Sequence, residues 1–290
     1  MDTATHIRSL FPEVPPLNRR SMLVKTSLGA GFCAFIEPVF AQVITTPTDG
    51  LVAGEVKVPS SGVDLPAYRA MPASGGPFPT ILVINEIFGV HEHIKDICRR
   101  FAKLGYFAIA TDLFARAGDA SKETDRDKLM ALVNKASDAQ VAGDIDATLA
   151  FAKASGKADM AKTAIVGFCW GGRQVWLTAA RHPEFKAGVA WYGPLAGPTN
   201  DMKPKNPVDI AGTEKVPVLG LYGGKDTGIT AEHIAAMKKA LADAKSPSEI
   251  IVYPDAQHGF HADYRPSYKK DDAMDSWAKA TAWLKNHGVG

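Results

Sequence analysis

The chain has 290 residues, 46% of them hydrophobic and 22% charged, and a formal net charge of +2. This is ordinary globular composition with enough length for one large α/β domain and a sizeable core, and no second domain is required. Without a basic excess or a block of like charges, the chain lacks the electrostatic footprint of a nucleic-acid or anionic-membrane binder, and nucleic acid is excluded as a partner.

The amino terminus differs in kind from the rest. Asn18-Arg19-Arg20-Ser21-Met22-Leu23-Val24-Lys25 sets paired arginines before a modest apolar stretch, Thr26 to Ile36, and Val39-Phe40-Ala41 ends on the small residue of a cleavage site. This arrangement resembles a twin-arginine export signal over residues 1–41. It implies the twin-arginine export machinery as a partner, a periplasmic or secreted location, and a mature domain at residues 42–290 that begins at Gln42. An amphipathic helix is the alternative, but Gly29, Gly31 and Pro38 interrupt it. The apolar stretch is too short to span a bilayer, so no stable membrane anchor is expected. Phe32 before Cys33 speaks against a lipid-modified cysteine. Cleavage leaves Cys98 and Cys169, too few for a disulfide framework, so the core must hold the fold together.

Residues 50–70 read as leading strands with a turn at Pro59 and Gly62. From about residue 79, short apolar runs alternate with amphipathic stretches, the pattern of βαβ units in a parallel sheet. Thr80 to Ile84, Phe107 to Ala110, Thr163 to Val166, Ala187 to Trp191, Val216 to Leu221 and Glu249 to Tyr253 are the buried strands. Helical periodicity falls at His91 to Leu104, Asp125 to Ala154, Gly172 to Arg181, Ala231 to Lys245 and Tyr268 to Asn286. The fold class is therefore α/β, a doubly wound and mostly parallel sheet. Residues 114–124 and 193–215 read as loops covering it.

Gly167-Phe168-Cys169-Trp170-Gly171-Gly172 follows a buried strand and precedes a helix. A nucleophile at such a turn sits in strained backbone, and small residues on either side let the turn close. A buried cysteine that merely packs is common, but the flanking glycines favour the elbow. A thiol needs a base to become a thiolate. In α/β-hydrolases the order is nucleophile, acid, histidine, and the chain supplies Asp226 in Gly223-Gly224-Lys225-Asp226 and then His258, each just past a strand end. His261 competes with His258 as the base. His91 and His93 read as solvated surface and as poor joint metal ligands, and Cys98 as a packed thiol. No zinc-ligand spacing and no nucleotide-binding glycine motif is present, so no cofactor and no metal are implied.

Gly167-Phe168-Cys169-Trp170-Gly171-Gly172, Gly223-Gly224-Lys225-Asp226 and His258-Gly259-Phe260 together resemble the catalytic blocks of the dienelactone hydrolases, also called carboxymethylenebutenolidases. Asn85-Glu86-Ile87-Phe88-Gly89 is similar to that family's glutamate block, and the likeness runs over roughly residues 52–287. The resemblance implies an α/β-hydrolase fold and a cysteine hydrolase of esters or lactones, acting through an acyl-enzyme on Cys169 with His258 as base and Asp226 as orienting acid. It implies that Glu86 holds the resting cysteine until substrate displaces it, and it puts the oxyanion hole at the backbone N–H groups of Trp170 and Ile87. It implies substrate contacts from Arg116, from Arg265 and from His261, which stands nearer the place of the family's second arginine. The rival readings are a general carboxylesterase or thioesterase on the same fold, and a non-catalytic binding protein. Competent residues at all three triad positions oppose the latter. A thiol-disulfide oxidoreductase would need a C-x-x-C pair, which is absent.

Overall fold

Parallel strands covered by helices on both faces are built from continuous apolar runs, and the strands follow that rule in the computed structural model, which describes residues 44–290. The expected export signal lies outside the described residues. The leading strands β1 (Leu51–Ser60) and β2 (Val63–Pro72) form an antiparallel hairpin. Ser61 and Gly62 close it with φ of 45° and 78°, the left-handed pair of a two-residue turn, whereas Pro59 stays in register opposite Asp64.

Six further strands complete the sheet: β3 (Phe78–Ile84), β4 (Phe107–Thr111), β5 (Ala158–Phe168), β6 (Ala187–Trp191), β7 (Val218–Gly223) and β8 (Glu249–Tyr253). The eight-stranded order is β1-β2-β4-β3-β5-β6-β7-β8, and every pair from β4 to β8 is parallel. The helices are α1 (Glu92–Lys103), α2 (Arg126–Lys135), α3 (Asp138–Ala154), α4 (Trp170–Arg181), α5 (Ala231–Asp243) and α6 (Lys270–Asn286). The single helix expected over Asp125 to Ala154 is two. Ala136 turns extended, and Ser137 starts α3 by accepting a hydrogen bond from the Gln140 N–H at 3.1 Å, a cap that competes with continuing the helix.

A buried ladder of charge ties the amino-terminal segment and α1 to the loop after β8. Asp96 Oδ1 accepts from the Thr46 N–H at 2.5 Å, and Asp96 Oδ2 accepts from Arg100 Nε at 2.6 Å. Arg100 donates onward to Asp263 at 2.8 Å, and His93 Nδ1 meets the other Asp263 oxygen at 3.0 Å. The side chains of Asp96 and Arg100 are 0% exposed, so each charge depends on its partners for stabilisation. Asp263→Ala strips one carboxylate from this buried guanidinium and should cost about 3–5 kcal/mol of unfolding free energy, measured by urea titration.

Candidate active site

The chain runs from β3 to β4 on one side and returns to β5 on the other, so the sheet order reverses at β3. A crevice opens outside the carboxyl ends of the strands at such a reversal. Two segments reach it directly, Asn85-Glu86-Ile87 after β3 and Cys169 after β5. Cys169 has φ 53° and ψ −121°, a conformation that side chains resist. Its N–H donates to the Trp191 carbonyl at 3.0 Å and its own carbonyl accepts from the Gly172 N–H at 2.9 Å, which fixes the turn from both sides. A Cβ at Gly167 would stand 2.4 Å from the Gly171 carbonyl oxygen, and one at Gly171 would stand 2.5 Å from that of Ile84. Only glycine at these positions lets α4 start so close to β5 and β3.

The two backbone donors expected to form an oxyanion hole belong to these segments. Trp170 is the first residue of α4, where N–H groups have no partner within the helix. Ile87 occupies the second position of a turn closed by the Gly89 N–H on the Glu86 carbonyl at 3.2 Å, a position whose own N–H is not used by the turn.

The three residues expected to act together meet at the crevice. His258 Nε2 lies 3.2 Å from Cys169 Sγ, and His258 Nδ1 lies 2.7 Å from Asp226 Oδ2. The second oxygen of Asp226 accepts from the N–H groups of Gly228 at 2.8 Å and Ile229 at 3.1 Å, so the loop after β7 aims the carboxylate. Burial alone would push the imidazole down, but the sulfur of Cys169 and the carboxylate of Asp226 outweigh it and hold His258 up at about 10. The imidazole is thus placed to carry a proton beside the sulfur.

Glu86 is placed differently from the expectation that it holds the resting cysteine. It is fully buried, and its Oε2 accepts a short hydrogen bond from Tyr264 and lies 3.3 Å from His91 Nε2, while the sulfur of Cys169 sits at His258. Burial raises its carboxyl, but the His91 contact and the charge of Arg265 prevail and hold it well below the usual carboxylate range. His91 and His93, expected as surface, are also corrected by these contacts. The side chain of His93 is 0% exposed, and that of His91 packs edge-on against Tyr264 at 4.9 Å. His91 is the cap of α1 rather than part of it, so the two rings stack at 6.1 Å instead of diverging as helical neighbours do.

The expected substrate contacts divide. Arg265 reaches the site, with its guanidinium 5.4 Å from the Phe88 ring and 5.7 Å from that of Tyr264, and its charge acts on Glu86. Arg116 is instead held by Asp144 and the Ser60 carbonyl, each at 2.8 Å from Nη2. His261 is a core residue, 0% exposed among the rings of Phe168, Trp191 and Trp277, and is neither the base nor accessible to a substrate. Tyr264 and Tyr192 were missed in sequence. Tyr192 directly follows β6 at a carboxyl strand end, the same rule that picks out Cys169 and Glu86, whereas Tyr264 lies in an irregular loop with no periodic signal. Among the described residues, no three His, Cys, Asp or Glu side chains are grouped as metal ligands.

A sheet of this order, with a cysteine on the strand-to-helix elbow and an aspartate and a histidine on later strand ends, defines an α/β-hydrolase. The chain belongs to the dienelactone hydrolase family, whose model matches residues 65–288. It is 55% identical over 285 residues to a candidate carboxymethylenebutenolidase of Methylorubrum extorquens, covering 98% of this chain and 97% of the relative. A protein of the same description from Escherichia coli K12 is 48% identical over 265 residues, covering 91% and 97%. The crystal structure of a candidate dienelactone hydrolase from Klebsiella pneumoniae superposes with a TM-score of 0.79 at 48% identity, covering 81% of this chain and 98% of that one.

The two described thiols are set apart by their surroundings. Burial pushes Cys98 far up, while Cys169 has an imidazole against its sulfur. Iodoacetamide at neutral pH should alkylate Cys169 and spare Cys98 in the folded protein, as read by peptide mass mapping. Equal labelling of both would contradict this geometry.

Proposed function

We propose that the protein hydrolyses a carboxylic ester or lactone by acyl transfer through Cys169. The observation that carries this reading is the unbroken line from Cys169 Sγ to His258 at 3.2 Å and from His258 to Asp226 at 2.7 Å. The Cys169 thiolate attacks the carbonyl carbon, and the carbonyl oxygen takes up charge beside the N–H groups of Trp170 and Ile87. The bond to the leaving oxygen breaks, that oxygen takes a proton from the His258 imidazolium, and a thioester remains on Cys169. Water then gives a proton to His258 Nε2 as it adds to the thioester carbonyl, and collapse releases the acid and restores the thiolate with its imidazolium. Asp226 keeps the imidazole oriented throughout.

Relatives described as carboxymethylenebutenolidases support the lactone half of this reading. The wider carboxylesterase reading is favoured by the placement of Arg116. With its guanidinium committed to Asp144 and Ser60, the carboxylate clamp implied by the motif resemblance lacks one arm. Cys169→Ala and His258→Ala should each lower kcat on p-nitrophenyl acetate by on the order of 10³ or more, and the double variant should lose little beyond either single one, because the two act in one step. Additive losses would show separate roles.

We further propose export before action, on the strength of Arg19-Arg20, the apolar stretch after them and Ala41. Amino-terminal sequencing of protein from the native host should begin at Gln42, with the material outside the cytoplasm; a start at Met1 or Asp2 within it would refute this.

A further inference from the structure

We propose that the extended segment 44–46 is a strap that positions the Glu86 carboxylate, with Ile44 and Thr46 acting on the site through α1 and through the loop after β8. This rests on the reading of Cys169 as the residue that is acylated, because the effect of the strap is read in turnover.

The segment alternates as an extended chain does, with Ile44 and Thr46 buried and Thr45 exposed between them. Ile44 is 6% exposed and belongs to the hydrophobic core, so its burial seats the segment. Thr46 adds one directed contact, its N–H on Asp96 Oδ1 at 2.5 Å. The same oxygen accepts from Arg99 at 3.1 Å, and the other from Arg100 at 2.6 Å. A carboxylate buried this deeply is stabilised only by its donors, so a backbone N–H supplied by the segment matters to how firmly Asp96 is held.

Two paths lead from Asp96 to one oxygen of Glu86. Asp96 belongs to α1, and the cap of that helix is His91, whose Nε2 lies 3.3 Å from Glu86 Oε2. Arg100 links Asp96 to Asp263, and the next residue, Tyr264, donates to the same Oε2. Both partners of that oxygen therefore depend on the ladder that Thr46 closes at its far end. The triad is held by other contacts. Asp226 is aimed by the N–H groups of Gly228 and Ile229, and the backbone of Cys169 by Trp191 and Gly172. Loss of the strap thus moves Glu86 and leaves the thiol beside its imidazole. Glu86 and Cys169 both act electrostatically on the Tyr192 hydroxyl, so the carboxylate lies near enough to the sulfur for its displacement to be felt there.

The test uses the full chain and p-nitrophenyl acetate, with activity expressed per folded molecule from a urea titration of each variant. Ile44→Val, which still fills the core, should keep kcat/KM within about twofold of the unmodified protein. Ile44→Asp, which cannot stay buried, and Thr46→Pro, which removes the donated N–H, should each lower it by about tenfold or more, since a small misplacement in a site can cost up to roughly a hundredfold. If Ile44→Asp does not fold, Ile44→Ala takes its place in the comparison. Iodoacetamide should still label Cys169 ahead of Cys98 in every variant. In a Glu86→Gln background the strap substitutions should cost little more, because the charge they position is already gone. Unchanged turnover per folded molecule, losses that add to that of Glu86→Gln, or loss of selective Cys169 labelling overturns the proposal. Absence of both turnover and acylation of Cys169 in the unmodified protein overturns the acyl-transfer reading instead, and is seen before any variant is made.

Discussion

The whole site hangs on how closely one helix start can approach two strand ends. Cys169 holds a left-handed backbone conformation that an ordinary turn would relax, and it does so because the glycines at 167 and 171 leave no side chain between α4, β5 and β3. The strain and the close approach have the same result. The sulfur is held at the carboxyl ends of the strands, and the start of α4 is brought against the segment that follows β3 as a close-packed unit. A single methyl group at either glycine would have to push backbone against backbone, which a packed sheet cannot yield without moving the elbow.

Around that unit the protein has invested an unusual amount of buried charge. His258 is kept protonated by a sulfur and a carboxylate, and Glu86 is kept ionised by His91 and Arg265. The loop that carries Tyr264 and Arg265 is anchored through Asp263 to Arg100 and Asp96 beneath. Such groups add little net stability compared with apolar packing, since desolvation offsets most of the attraction. What they provide here is position. Each charge in the crevice has a fixed counter-charge, so the field at the sulfur is set by the fold itself.

The same accounting separates the two thiols and the two arginines. Cys98 and Cys169 are both buried, but only Cys169 has an imidazole in contact with its sulfur. Arg116 and Arg265 both lie in loops past strand ends, but Arg116 turns to Asp144 while Arg265 lies over Phe88 and Tyr264 within reach of Glu86. In each pair the residue type is shared and the neighbours decide what it can do.

Which parts of this were legible in the chain follows from the range over which each is encoded. Apolar runs and helical periodicity are local, so the strands Ala187 to Trp191 and Glu249 to Tyr253 and the helix ends near Ala231 and Asn286 could be read directly. The elbow is local as well, because the glycines that permit it lie within two residues of Cys169, and the fixed order of acid and histidine in this fold pointed to Asp226 and His258. The break at Ser137 was also within reach, since Ser137 and Gln140 carry a capping signal that periodicity alone overrides. The remainder depends on which distant segments the sheet order sets side by side. Tyr264 meets Glu86 across 178 residues, and His93 meets Asp263 across 170. His261 is sealed among rings from three other elements, and Arg116 is claimed by a helix carboxylate 28 residues away. No local pattern records such pairings; the sequence by itself determined the elbow and the order of the residues that meet it, and only tertiary packing decided which charged and polar side chains stand around it and which are claimed elsewhere.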